Sequence, residues 1–313
     1  MRVALDVMGG DFAPQATVGG AALAVDAFAE HDQLVLVGDQ EVIEAELHRR
    51  GVSSPCIQVV HAPQTIGMDE HPTKAFSQKP DSSIGVGFKM LAEGAIDAFC
   101  GAGNTGAMHV GAMFSVKPCA GVLRPAIAGF APREDGSYGV ILDVGANADV
   151  KPEMLVQFGE LGSLYAQHVF GISRPKVALI NLGEEETKGT VITQAAYQLF
   201  KENSRINFIG NIEGRDIFSP KSDVMVCNGY VGNVVLKMAE SVYDLLHARG
   251  LSDSFIDKLN YEAIGGSPIL GINGNVIIGH GVSGEVATKN MLLQAKRMAE
   301  SNIHLKIRDA FGK

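Results

Sequence analysis

Short apolar runs alternate with longer amphipathic segments along most of the chain. Residues 3–7 (VALDV) predict a short buried strand, and residues 16–28, rich in Ala and Val after Pro14, predict a helix. Residues 34–37 read as a strand, followed by a helix to about residue 49, and residues 57–60 as another strand. A helix over 83–92, a strand over 97–100 and a helix over 105–115 continue the pattern. The alternation breaks once: strands near 126–130 and 138–142 have no helix between them and predict a hairpin around Glu134, Asp135 and Gly136.

Strand and helix then alternate again. A helix is predicted over 152–170, a strand over 176–180, a helix over 190–202, and strands over 206–209 and 224–226. Helices near 233–247 and 253–261 precede a strand pair around 269–278 and a last helix over 284–300. Such order predicts an α/β fold with a mostly parallel sheet covered by helices on both faces. Lacking a long linker, low-complexity tract or repeat, residues 1–313 read as a single three-layer α/β/α domain with a short helical hairpin near 240–263. Within helix 152–170, Leu155, Phe158, Gly162, Tyr165 and Val169 share one face, thinned by Gly159, Gly162 and Ala166. That face suits either close packing on the sheet or a subunit interface.

Composition narrows the field. The net charge of −9 argues against nonspecific nucleic-acid binding, although residues 286–313 hold six Lys or Arg against Glu300 and Asp309. Cys56, Cys100, Cys119 and Cys227 show no zinc or redox spacing and read as reduced apolar residues, which suits a cytosolic protein. The N-terminus enters a strand at once without a signal-peptide pattern, and no apolar run reaches about 18 residues.

Ligands of an open parallel sheet sit beyond the carboxyl ends of the strands. The loops at those ends are MGGD (8–11), GAGNTGA (101–107), DVGANAD (143–149), NLGEEETKG (181–189), GNIEGRD (210–216), CNGYVGN (227–233) and GHG (279–281). All but GHG combine glycine with Asn, Asp, Glu or Thr, which predicts a cleft of backbone N–H groups and amides suited to an anion.

The glycines at 101, 103 and 106 match the dinucleotide pattern, but the next strand ends without the acid that would hold the ribose. An isolated phosphate fits better. Gly103, Asn104, Thr105 and Gly106 open a helix whose free N–H groups favour anions, and a plain helix cap is the competing reading for Asn104 and Thr105. Lys188, after Glu184, Glu185 and Glu186, reads either as a phosphate-binding cation or as a surface lysine paired to those acids. Asn233 reads as an oxyanion donor or a cap. Asp11, His280 and His71 lie in loops as further polar groups. Nucleophile-elbow, Walker and H-E-x-x-H patterns are missing, so neither covalent catalysis nor a metal is indicated.

Taken in order, MGGD with Pro14, AGNTGA (102–107), LDVGANAD (142–149), GEEETKG (183–189), GNIEGRDI (210–217), GYVGNVVLK (229–237) and IIGHG (277–281) resemble the bacterial acyl-ACP:phosphate acyltransferases, the PlsX family. The resemblance covers nearly the whole chain. It implies a fold similar to phosphotransacetylases and decarboxylating dehydrogenases, a homodimer, and transfer of a fatty acyl group from acyl carrier protein (ACP) to inorganic phosphate without a cofactor. The acyl phosphate would feed phospholipid synthesis through a membrane-bound glycerol-3-phosphate acyltransferase. Asn228 stands where the family usually has Asp, Gly101 where it usually has Ser, and segment 240–261 is short.

On that reading Gly103, Asn104, Thr105, Gly106 and Asn147 hold phosphate, and Asp143 orients Asn147 or Lys188. Lys188 neutralises and aims the phosphate, and Asn233 steadies the oxyanion. Lys289, Lys296 and Arg297 form a patch for acidic ACP. The expected location is cytoplasmic, with peripheral membrane contact allowed. The alternatives are a CoA-dependent, phosphotransacetylase-like acyltransferase and a phosphate- or nucleotide-binding regulator without turnover.

Overall fold

In a computed structural model, which describes residues 1–312, the run RVALD forms strand β1 (Arg2–Asp6), its last four side chains buried. In chain order there follow α1 (Gln15–Ala24), β2 (Gln33–Gly38), α2 (Gln40–Arg49), β3 (Ile57–His61), α3 (Pro72–Gln78), α4 (Ser83–Ala92), β4 (Ala98–Gly101) and α5 (Thr105–Gly111). Next come β5 (Ala126–Pro132), β6 (Tyr138–Leu142), α6 (Pro152–His168), β7 (Lys176–Ile180), α7 (Val191–Glu202), β8 (Asn207–Ile212), β9 (Val224–Val226) and α8 (Gly229–Ala248). The chain ends with α9 (Tyr261–Ile264), β10 (Ser267–Leu270), β11 (Asn275–Ile278), α10 (Glu285–Ser301) and α11 (Ile303–Phe311).

Two compact units divide these elements. Unit 1 holds Met1–Pro118 and Tyr261–Leu305; unit 2 holds Cys119–Asn260 and the C-terminal residues from Lys306. The first boundary thus falls before the β5–β6 hairpin.

In unit 1 the strands run β3-β2-β1-β4-β11-β10. All neighbours are parallel except β10 with β11, the strand pair expected around 269–278. Phe88 of α4 meets Phe99 of β4 edge to face, ring centres 5.0 Å apart, both fully buried. Truncating such a core ring to Ala costs about 3–5 kcal/mol.

Unit 2 runs β5-β6-β9-β7-β8. β5 and β6 are the expected antiparallel hairpin, closed by the Arg133 N–H donating to the Ser137 carbonyl at 2.8 Å, and the other pairs are parallel. The thin face of α6 packs on this sheet. A Cβ on Gly162 would meet Val224 and Leu142, and one on Gly159 would meet Phe200.

Three helical expectations shift. The predicted helix 253–261 is a 3-10 turn at Ile256–Leu259 followed by the single turn α9, so the expected hairpin has one long arm, α8, and a fragmentary second. α8 starts at Gly229, one turn before the predicted 233. α3 and α11 were not expected.

Candidate functional site

Three glycine loops of unit 1 leave the same carboxyl edge, because β1, β4 and β11 are parallel. Hydrogen bonds tie them together. The Gly279 N–H donates to Gly101 at 2.9 Å, and the Asp11 N–H donates to Gly281 at 2.8 Å. Gly9 and Gly103 touch so closely that a Cβ on Gly9 would fall 2.7 Å from the Gly103 nitrogen. The structure therefore brings Gly103, Asn104, Thr105 and Gly106 together with Asp11 and His280. Asp11 is exposed, and the exposed His280 lies with its ring centre 5.1 Å from that of Tyr261.

Thr105 and Gly106 are the first two residues of α5, which continues without break into π-helical turns over Ala112–Val116. Their N–H groups lack an acceptor four residues back and point out of the helix end. Asn104 is differently employed. Its Oδ1 accepts from the Ala107 N–H at 3.0 Å, while Nδ2 donates to the carbonyls of Gly67 (3.0 Å) and Glu70 (2.9 Å). The Asn104 amide caps the helix and anchors the 67–70 segment, the arrangement of the competing cap reading.

In unit 2 the turn after β6 is organised by Asp143, which is fully buried. Its Oδ1 accepts from the N–H groups of Ile127 (2.9 Å), Gly145 (3.2 Å) and Ala146 (3.2 Å). Its Oδ2 accepts from the Asn147 N–H (2.5 Å) and Nδ2 (3.0 Å). Asn147 Nδ2 also donates to the Pro125 carbonyl at 2.9 Å. The expected orientation of Asn147 by Asp143 is present, but both side chains are spent on shaping the turn. Neither is a free phosphate donor.

Asn233 belongs beside this turn, with Nδ2 3.4 Å from the Val144 carbonyl. It is exposed and is not a cap, because Asn228 caps α8 by accepting from the Val231 N–H at 2.9 Å. That leaves Asn233 one turn inside the helix with donor capacity toward solvent.

Lys188 lies in the loop after β7, separated from β6 by β9 in the sheet order. The acids before it are taken by other cations: Glu184 by Lys221 at 2.5 Å and Glu186 by Lys201 at 2.9 Å. Among the described residues, Lys188 has no carboxylate within ion-pair distance, contrary to the surface-pair reading. Its loop is held by three amide side chains. Asn181 donates to the Lys188 carbonyl (3.1 Å), Gln194 to that of Thr187 (2.8 Å) and Asn211 to that of Glu185 (2.9 Å). Sequence reasoning missed this bracing, whose signal was an amide at each of three neighbouring element ends.

The basic patch is also redrawn. Lys296 Nζ donates to the Ala27 carbonyl at 2.7 Å and faces Asp32 and Glu300, so it is tied into unit 1 and only 19% exposed. Arg297 is exposed and Lys289 half-buried.

Solved structures with this fold include a phosphotransacetylase from Streptococcus pyogenes (TM-score 0.70, 15% identity, 96% of this chain and 94% of that one). Another is a 4-hydroxythreonine-4-phosphate dehydrogenase from Klebsiella pneumoniae (TM-score 0.55, 15% identity, 99% and 98% covered). These likenesses place the chain in that α/β fold class. The chain matches the family described as "Fatty acid synthesis protein" over residues 1–249. It is 43% identical over 308 residues to the phosphate acyltransferase of Syntrophomonas wolfei subsp. wolfei, covering 97% of this chain and 96% of the relative. The chain belongs to this family, whose phosphate acyltransferase members the sequence motifs resemble.

Proposed function

We propose that the protein is a phosphate acyltransferase that moves a fatty acyl group from acyl-ACP to inorganic phosphate. The observation that carries this reading is 42–43% identity, along nearly the whole chain, with relatives of that name. In the reaction a phosphate oxygen attacks the thioester carbonyl carbon, the C–S bond breaks, and the phosphate proton passes to the departing thiolate. The products are acyl phosphate and the free thiol of ACP. Phosphate is itself the nucleophile, which suits a chain without a nucleophile motif.

The geometry within each unit supports the following roles. The N–H groups at Gly103, Thr105 and Gly106 and the Thr105 hydroxyl hold phosphate oxygens, aided by the helix dipole. Asn104, Asp143 and Asn147 keep their turns in shape. Lys188, on a braced loop of unit 2 and without a carboxylate partner among the described residues, is a cation available to an anionic substrate. Asn233 donates to the oxyanion. Asp11 and His280 line the loops of unit 1.

We assign the protein to the cytoplasm as a homodimer without cofactor or metal, supplying a membrane-bound glycerol-3-phosphate acyltransferase. Among the described residues no helix is long and apolar enough to cross a membrane. An exposed apolar stripe along α8 (Tyr230, Val234, Met238, Leu245) supports an interface with a second copy or peripheral membrane contact.

Mass spectrometry of the products tests the reading, with acyl-ACP and acyl-CoA each offered with phosphate. Acyl phosphate formed preferentially from acyl-ACP is expected. Preference for CoA would favour the phosphotransacetylase-like alternative, and phosphate binding without turnover would favour a regulator.

A further inference from the structure

Asp6 ends β1 directly beneath the glycine loops of unit 1 and is fully buried. Its Oδ1 accepts from the Met8 N–H at 3.1 Å, which fixes the start of the MGGD turn. Its Oδ2 is buried without a hydrogen bond of ordinary geometry. That oxygen is wedged between two loops: a Cβ on Gly103 would lie 3.0 Å from it, and one on Gly9 would overlap it.

The groups facing the carboxyl are the Met8 and Gly9 amides of its own loop and the Ser83 hydroxyl at the start of α4. Gly101 and Gly103 follow from β4 and its turn, and Val37 lies beside it in β2. None of these is charged. Among the described residues Asp6 is thus a buried carboxyl with no cation to offset it, in contact with the backbone assigned above to phosphate.

We propose that Asp6 is a positioning residue of the phosphate site, which takes up a proton when a dianion binds the Gly101–Gly106 turn and releases it when the turn empties. The inference rests on the phosphate-site reading above. An ionised Asp6 would oppose a dianion through a low-dielectric wall. A neutral carboxyl removes that opposition while its Oδ1 still holds the turn. The proton comes from solvent and resides on Oδ2, with the Ser83 hydroxyl facing the carboxyl. Burial already pushes the empty-site carboxyl up to about 6, against the Ser83 hydroxyl and the Met8 and Gly9 amides. A dianion nearby raises it further, so anion affinity falls as pH rises through and above that value.

The test uses sulfate, which stays a dianion across the range in which phosphate itself titrates. Sulfate binding is measured by calorimetry from pH 5 to 8 in buffers of different ionisation enthalpy, with displacement by phosphate as a check on the site. For the wild type, Kd should rise at least about tenfold over this range, the equivalent of a one-unit rise in the Asp6 pKa on binding, with proton uptake near pH 7. Asp6→Asn should bind sulfate with a flatter pH profile and less uptake. Phosphate-displaceable binding by the wild type with no proton uptake overturns the role of Asp6, whatever the fate of the variant, and leaves the phosphate site standing. Equal pH profiles in the two proteins do the same. Failure of both sulfate and phosphate to bind at any pH overturns the phosphate-site reading and this inference with it.

Discussion

Asn181 Nδ2 donates to the Lys188 carbonyl at 3.1 Å, so the loop after β7 is closed by its own first residue. The Asn181 Oδ1 accepts in turn from the Leu182 N–H at 2.9 Å. A loop held this firmly holds the Lys188 backbone in place even though its ammonium has no ion-pair partner among the described residues. The Lys188 side chain itself is exposed, so only its backbone is fixed by these bonds.

Lys188→Ala is expected to lower kcat/KM at least about tenfold, roughly 1.4 kcal/mol of transition-state stabilisation. The urea midpoint should not move, since no ion pair is lost. An ordinary exposed pair would give less than about 1 kcal/mol and leave turnover nearly intact. Wild-type kinetics in the folded variant would remove Lys188 from the site.

Asn228 caps α8 through its Oδ1, a role that Asp performs equally well. Asn228→Asp should therefore leave urea stability within a few tenths of a kcal/mol of wild type, and Asn228→Ala should cost about 1 kcal/mol. A large loss of activity in Asn228→Asp with unchanged stability would give this position a chemical role beyond the cap.

The buried Asp6 carries a sign for stability. Its folded-state pKa lies near 6 against an ordinary value of 3.8. Between those values the folded chain keeps a proton that the unfolded chain has released, so Asp6 lowers stability as pH rises from about 4 to 6. Above pH 6 the penalty is complete, at most about 3 kcal/mol. Asp6→Asn escapes it. The variant should gain stability over the wild type between pH 4 and pH 7.5 in urea titrations, and a pH-independent difference would contradict the buried charge.

Every predicted strand is present, because buried parallel strands declare themselves as apolar runs whatever surrounds them. The helices were less legible. Residues 253–261 look helical, but Asp253 accepts from the N–H groups of Phe255 and Ile256, both at 2.8 Å, and turns the segment into a short 3-10 stretch. The glycine loops were readable from position alone. What their side chains do was not, because an amide in a loop can serve a ligand or its own backbone, and only the folded geometry decides. Asn104 and Asn147 went to the backbone, while Asn233 stayed exposed. Asp6 went unnoticed as the polar end of an apolar strand, although an acid in the run VALDV was itself a signal.

The redrawn basic patch separates docking from folding. On the proposed reading the partner is acidic ACP, and because this chain carries a net charge of −9 their encounter calls for local positive charge. Lys296 cannot serve it freely, because it holds the Ala27 carbonyl and faces Asp32 and Glu300. Lys296→Glu should therefore reduce stability, by about 1 kcal/mol or more, and affect every substrate alike. Reversing Lys289 and Arg297 to Glu while keeping Lys296 should instead leave the urea midpoint near wild type and raise KM for acyl-ACP. Acyl-CoA should feel that pair of substitutions much less. Salt should weaken the wild-type response to acyl-ACP in the same direction, since exposed charges are screened over about 8 Å at physiological ionic strength. Unchanged KM for acyl-ACP in the double variant would move the docking surface away from α10.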